Sequence, residues 1–172
     1  MEGLVAAGLT KQIGVSNFTV EQLEDLKAVA TIQPFANQVE VHPYHTNDAL
    51  RAYCAASGIR VMAYSPLGSS KKKFPSGSGC TLLENPVVKE VASELGKTPA
   101  QVLLKWSSEV DPNVVTIAKS SNATRISQNF EAAGDWELGE ANVAKLRNLN
   151  ANFRYFDSYI EGSQWHDGVI EG

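Results

Sequence analysis

Polar side chains able to handle a ligand gather at four points along the chain. Ser16-Asn17 closes the run Ile13-Gly14-Val15, and Gln38 lies inside Asn37-Gln38-Val39-Glu40-Val41. Tyr64-Ser65-Pro66-Leu67-Gly68-Ser69 follows Val61-Met62-Ala63, and Lys119-Ser120-Ser121-Asn122-Ala123-Thr124-Arg125 follows Val114 to Ala118. Serine hydroxyls and Asn or Gln amides both donate and accept, so the first two clusters suit a group that needs a donor and an acceptor together. Tyr64 offers a flat face to a planar ring. Lys119 and Arg125 bring two cations to a turn where a helix N-terminus adds free N–H groups, which suits a phosphate.

Each residue alone has an ordinary structural reading. Ser16 and Asn17 can be polar residues leading into a helix, and Gln38 a buried amide satisfied by backbone. Tyr64-Ser65-Pro66 can simply end a strand, and Lys119 with Arg125 can be a solvated face. His42 reads as a packed residue rather than a catalytic one, and Lys71, Lys72 and Lys73 as a solvated loop. What favours a ligand is the joint placement: all the clusters fall on one face of one expected sheet.

Those strands are legible. Lys11–Val15, Phe35–Val41, Ile59–Tyr64 and Val114–Ala118 are short, β-rich runs, the first three evenly spaced. Helical stretches fill the gaps. Thr19 with Gln22 forms a capping-box pattern, and Val20, Leu23, Leu26 and Ala30 share a helical face behind it. Asn47 is the expected cap of a second helix that stops at Gly58. Asn85-Pro86 and Thr98-Pro99 open two more, the first closing at Gly96. Helices are also expected over 123–133 and 140–149. The segment from Gly68 to Gly79 has no periodicity and reads as a long loop. Alternating β and α elements imply parallel strands with helices packed outside, either a small open sheet or half of an eight-stranded barrel.

The bulk composition narrows the class. With 172 residues, 43% hydrophobic and 20% charged, the chain is globular material long enough for one domain. A net charge of −4 argues against nucleic-acid binding and makes any anion site local. No apolar run is long enough to span a membrane, the N-terminus lacks a signal-peptide pattern, and Cys54 and Cys80 lack metal-ligand spacing. A cytoplasmic setting is the expectation.

Six segments in order, IGVSNF, NQVEVHPY, AYSPLGS, LLENP, TPAQVLLKW and KSSNATRISQNF, closely resemble the second half of the aldo-keto reductases, from Met1 to about Leu149. The resemblance implies a (β/α)8 TIM barrel of which residues 1–172 form the last four βα units plus two extra-barrel helices, those opening at Asn85 and Glu140. It implies NADP(H) as cofactor and a small carbonyl compound as substrate. By the same resemblance Ser16, Asn17 and Gln38 hold the nicotinamide carboxamide, and Tyr64 stacks on its ring. Ser65, Leu67 and Ser69 meet the pyrophosphate; Lys119, Ser120, Asn122 and Arg125 bind the adenosine 2′-phosphate; and Gln128 with Asn129 meets the adenine amine. Gln128 replaces the family's usual glutamate, and Ala118 the proline that commonly precedes the lysine.

The family's four chemical residues, a tyrosine acid, a lysine, an aspartate and a histidine, belong to the first half of the barrel and have no counterpart here. The expectation is therefore a cofactor-binding half that is inactive alone, cut from a longer protein, with a non-catalytic nucleotide-sensing or partner-binding module as the competing reading. Four strands leave two open edges and an inner face expected to carry Val15, Val39 and Val61, so self-association through those edges is expected. The aromatic tail, with Tyr155, Phe156, Tyr159 and Trp165, either lines a substrate pocket or packs.

Overall fold

The computed structural model describes residues 1–69 and 80–156. The lysines at 71–73 and the tail residues Tyr159 and Trp165 lie outside the described residues. The elements run α1 (Glu2–Ala6), β1 (Gly14–Ser16), α2 (Val20–Val29), β2 (Ala36–Glu40), α3 (Asp48–Ala56) and β3 (Arg60–Tyr64). After a 3-10 turn at Leu82–Glu84 come α4 (Pro86–Glu94), α5 (Pro99–Glu109), β4 (Val114–Thr116), α6 (Ala123–Glu131) and α7 (Glu140–Arg147). The four expected strands are all present, each shorter than its β-rich run, and α1 and the 3-10 turn were not foreseen.

The starts of α2, α4 and α5 follow the local chemistry. Thr19 Oγ1 accepts from the Gln22 main-chain N–H at 3.2 Å while the Gln22 side chain accepts from the Thr19 N–H at 2.9 Å, which closes the capping box of α2. Thr98 and Gln101 repeat it ahead of α5, and Asn85 caps α4 through the Val87 N–H at 2.8 Å. Asn47 departs from its expected role. It occupies the N-cap position of α3 but has a left-handed backbone, φ 54°, and makes no side-chain cap. A capping side chain needs an extended N-cap residue; here the Asn47 amide instead donates to the Glu40 carbonyl at 3.5 Å.

The strands form one parallel sheet in the order β1-β2-β3-β4. Register partners in a parallel pair share a face, and neighbours along a strand alternate. Val15, Asn37, Val61 and Val114 therefore share one face with Val39, Ala63 and Thr116. Gly14, Ser16, Ala36, Gln38, Glu40, Met62, Tyr64 and Val115 share the other. The first face is the core: Val39, Val61, Ala63 and Val114 are buried with Leu23, Leu50, Val88, Leu103 and Trp106 from the helices, and Val15 packs against them. This corrects the expected sidedness. Val15, Val39 and Val61 face the helices, and the face without helices carries Ser16, Gln38, Met62 and Val115 instead.

Gly14 allows β1 to lie close to β2, since a Cβ there would stand 2.7 Å from the Ala36 carbonyl oxygen. The two helices expected outside the repeat, α4 and α7, pack against each other and α5. Lys145 on α7 reaches Glu90 at 2.8 Å and Glu94 at 3.3 Å on α4, and Trp106 Nε1 donates to the Val143 carbonyl at 3.2 Å. The result is a partial barrel, with helices over one sheet face and the strand ends shared by the candidate site. Among the described residues no helix is long and apolar enough to cross a membrane.

Candidate cofactor site

The top of β1 is tied to β2 through a single carbonyl. Gln38 O accepts from Ser16 Oγ at 3.0 Å and from the Asn17 main-chain N–H at 2.9 Å. Asn17 then takes a left-handed backbone, φ 60°, which turns the chain toward α2. A buried amide holds that turn: Asn37 Nδ2 donates to the Phe18 carbonyl at 2.9 Å, and its Oδ1 accepts from the Phe18 N–H at 3.4 Å. Asn37 is fully buried on the valine face, where an amide is tolerated only if paired. Its role was not foreseen; the available signal was an Asn, a poor strand former, in the middle of a β-rich run.

Ser16 and Gln38 are register partners, so their side chains stand beside each other on the face without helices. They line an open hollow with Ala36 and Met62. Asn17 and Tyr64 line a separate cleft at the strand ends, shared with Glu40, His45, Asn47 and Arg154. The Tyr64 hydroxyl donates to Asn17 Oδ1 at 3.1 Å, which fixes the ring relative to β1. Three residues expected on one carboxamide thus fall on two adjoining hollows.

After Tyr64 the chain turns sharply. Ser65 has φ 50°, and its carbonyl accepts from the Gly68 N–H at 2.8 Å. Leu67 packs against the core, so what it can offer a ligand is main chain. Ser69 is half-buried and is the last described residue of this loop.

At the end of β4, Asn122 accepts from the Arg125 N–H at 3.0 Å and caps α6, while Ser120 Oγ accepts from the Asn122 N–H at 3.2 Å. Lys119, Asn122 and Arg125 are exposed, and neither cation pairs with an acid among the described residues. Gln128 and Asn129 lie one turn beyond Arg125 and are half-buried. The Gln128 carbonyl accepts from Gln101 Nε2 at 3.3 Å, and Asn129 lines a hollow with Val115 and Ala118.

Burial pushes the Tyr44 and Tyr155 phenols up and raises the Cys54 thiol to about 11, the opposite of what a general acid needs. His42 is fully buried, and its Nε2 meets Glu40 Oε1 at 2.7 Å. Since a carboxylate only accepts, that nitrogen carries the proton, and His42 is a packed, paired residue as expected. Among the described residues no group of three His, Cys, Asp or Glu is placed to hold a metal ion.

Comparison with known proteins is consistent across sequence and structure. Residues 1–151 match the model of the Aldo/keto reductase family. The chain is 44% identical over 155 residues to Aldo-keto reductase family 1 member A1 of Xenopus tropicalis, covering 90% of this chain and 46% of that protein. The Homo sapiens member is 42% identical, with 90% and 47% covered. Aldose reductase B of Dictyostelium discoideum is 45% identical over 154 residues, with 90% and 46% covered. Among solved structures, an aldose reductase from Giardia lamblia superposes with a TM-score of 0.77 at 37% identity, covering 90% of this chain and 49% of that one. The chain spans about half the length of the curated relatives it matches.

Proposed function

Because this chain belongs to the aldo/keto reductase family, we propose that it is the half of an NADP(H)-dependent carbonyl reductase that holds the cofactor. The observation that carries the proposal is the line of ligand-handling groups along the C-terminal ends of one parallel sheet. Ser16 and Gln38 stand side by side, Tyr64 is tethered by Asn17, and Lys119 and Arg125 flank the head of α6. Ligands of such sheets bind at the C-terminal ends of the strands.

The donor set fits the group. Gln38 presents an amide, and the Ser16 hydroxyl keeps lone pairs to accept from a carboxamide while it donates to Gln38 O. Tyr64 presents a ring whose position is fixed through its own hydroxyl. Ser65, Leu67 and Ser69 lie on the turn that follows, where main-chain N–H groups and hydroxyls suit a pyrophosphate. Lys119, Ser120, Asn122 and Arg125 supply two exposed cations and short polar groups for a 2′-phosphate, with Gln128 and Asn129 one turn on for adenine. The bound dinucleotide supplies the hydride; these residues bind, orient and fix its two ends.

The tyrosine, lysine, aspartate and histidine that relatives use for proton delivery have no counterpart in these residues. This segment therefore binds without turning over. Mixing the chain with NADPH and 4-nitrobenzaldehyde should give no loss of NADPH absorbance above background. Co-expression with the first half of a related barrel should restore it. Turnover by the repurified chain alone would contradict the assignment of roles.

A further inference from the structure

Residues 151–156 cross the ends of β2 and β3 as a strap. The Ala151 and Phe153 N–H groups both donate to the Tyr44 carbonyl, at 3.2 and 2.9 Å, and Arg154 Nε donates to His45 Nε2 at 3.1 Å. The next two residues close on one side chain. Tyr155 N–H donates to Glu40 Oε1 at 2.7 Å, Phe156 N–H to Oε2 at 3.2 Å, and His42 Nε2 to Oε1 at 2.7 Å.

Glu40 ends β2 on the face without helices, in register with Tyr64, and is only 4% exposed. A carboxylate so far from water is costly unless donors meet both oxygens. Three do. Two of them belong to the strap, so lifting residues 155–156 would strand a buried charge. Burial alone would raise the Glu40 carboxyl; the hydrogen bond from His42 and those from the strap outweigh it and hold it below its ordinary value.

The strap touches the expected path of the dinucleotide at two places. Phe156 sets its ring edgewise to Tyr64, centroids 6.1 Å apart at 68°. Tyr155 seats on Gly68, where a Cβ would stand 2.7 Å from its Cε2. We propose that Glu40 is a positioning residue whose carboxylate seats the 153–156 strap, so that Phe156 braces Tyr64 and Tyr155 braces the Ser65–Gly68 turn. Ring and turn are thereby fixed together for the nicotinamide end of NADP(H). The inference rests on the cofactor reading above.

Glu40→Gln keeps the shape and removes the charge. Hydrogen exchange of the Tyr155 and Phe156 amides, measured without nucleotide, should speed up about tenfold. NADPH should bind about tenfold more weakly, while 2′,5′-ADP, which reaches only the Lys119–Arg125 end, should bind as in the wild type. A general loss of structure would weaken both nucleotides, so the split separates positioning from folding. Gly68→Ala pushes Tyr155 from the other side, at a residue with φ 69°, and should give the same split even where Glu40→Gln does not fold. Unchanged exchange, or equal losses for the two nucleotides, would overturn the proposal. A wild-type chain that binds neither nucleotide overturns the functional reading and the cofactor part of the inference with it, and the exchange rates then decide the strap alone.

Discussion

Asn37→Ala tests whether the turn that carries Asn17 is held by one amide. The substitution removes the donor to the Phe18 carbonyl and the acceptor for its N–H, at a residue with no exposed surface. Stranding a main-chain group away from water costs roughly 1–3 kcal/mol. The 2.9 Å bond counts in full, the 3.4 Å bond for less, and the space left beneath the turn adds a cavity cost, so the sum is about 3 kcal/mol. For a chain of this length each kcal/mol lowers the melting temperature by about 2–4 °C, so a fall of roughly 6–12 °C is expected. Differential scanning fluorimetry across a pH series gives the number. Asn37→Asp should be at least as damaging at neutral pH, because it buries a charge and loses the same donor, and should recover as acid protonates it. An Asn37→Ala chain melting within about 2 °C of the wild type would refute the claim that this amide holds the turn.

Three further outcomes follow from the same structure. The Glu40 carboxyl lies below its ordinary 4.5 in the folded chain, so its stabilising contribution is complete above that value and is lost as pH falls through the lowered folded value. Denaturant melts should therefore show the gap between wild type and Glu40→Gln holding above the ordinary carboxylate value and shrinking as the pH falls below it; a constant gap would be inconsistent with an ionised anchor. Cys54 is fully buried with its thiol raised to about 11, whereas Cys80 is half-buried. Iodoacetamide at mildly alkaline pH should label Cys80 well before Cys54 in the native chain, and equal labelling would contradict the packing around α3. Val115 and Phe35 are 50% and 43% exposed, and β1 and β4 are open edges in the described sheet. Light scattering should find an oligomer, and a compact, cooperatively unfolding monomer would show that the open sheet is self-sufficient.

The parts of this architecture that depend on local chemistry were legible in the sequence. Thr19 with Gln22 and Asn85 with Pro86 act within one helical turn, and the structure builds both as written. The parallel order of four strands followed from alternation with helices. Sidedness did not follow. A five-residue strand such as Ala36–Glu40 has buried residues on both faces, so Val39 carries no sign of whether it looks toward the helices or away. Asn47 looked like a cap by residue type, but its left-handed backbone is set by the turn after β2. The polar clusters could be placed at strand ends, yet not sorted between two hollows, because that depends on the left-handed turn at Asn17 and on the Tyr64 hydroxyl that meets its side chain. Least legible was the strap. Glu40 and Tyr155 are separated by 115 positions, and no local pattern announces a carboxylate that waits for two main-chain N–H groups from the far end of the chain.

The central claim is that the strand ends of this chain, with the exposed cations of the β4–α6 turn, hold a 2′-phosphorylated dinucleotide. Parallel titrations of wild type and Arg125→Ala with NADPH and NADH, followed by protein fluorescence through Trp106 and Trp136, test it most directly. Hydrogen bonds to charged groups contribute roughly 1.5–3 kcal/mol each, so the wild type should prefer NADPH by on the order of ten- to a hundredfold. Arg125→Ala should erase most of that preference while leaving NADH affinity nearly unchanged, and added salt should erode it in the wild type. Equal affinities in the wild type, or equal losses for both nucleotides in the variant, would show that Lys119 and Arg125 are a solvated surface and not a phosphate site.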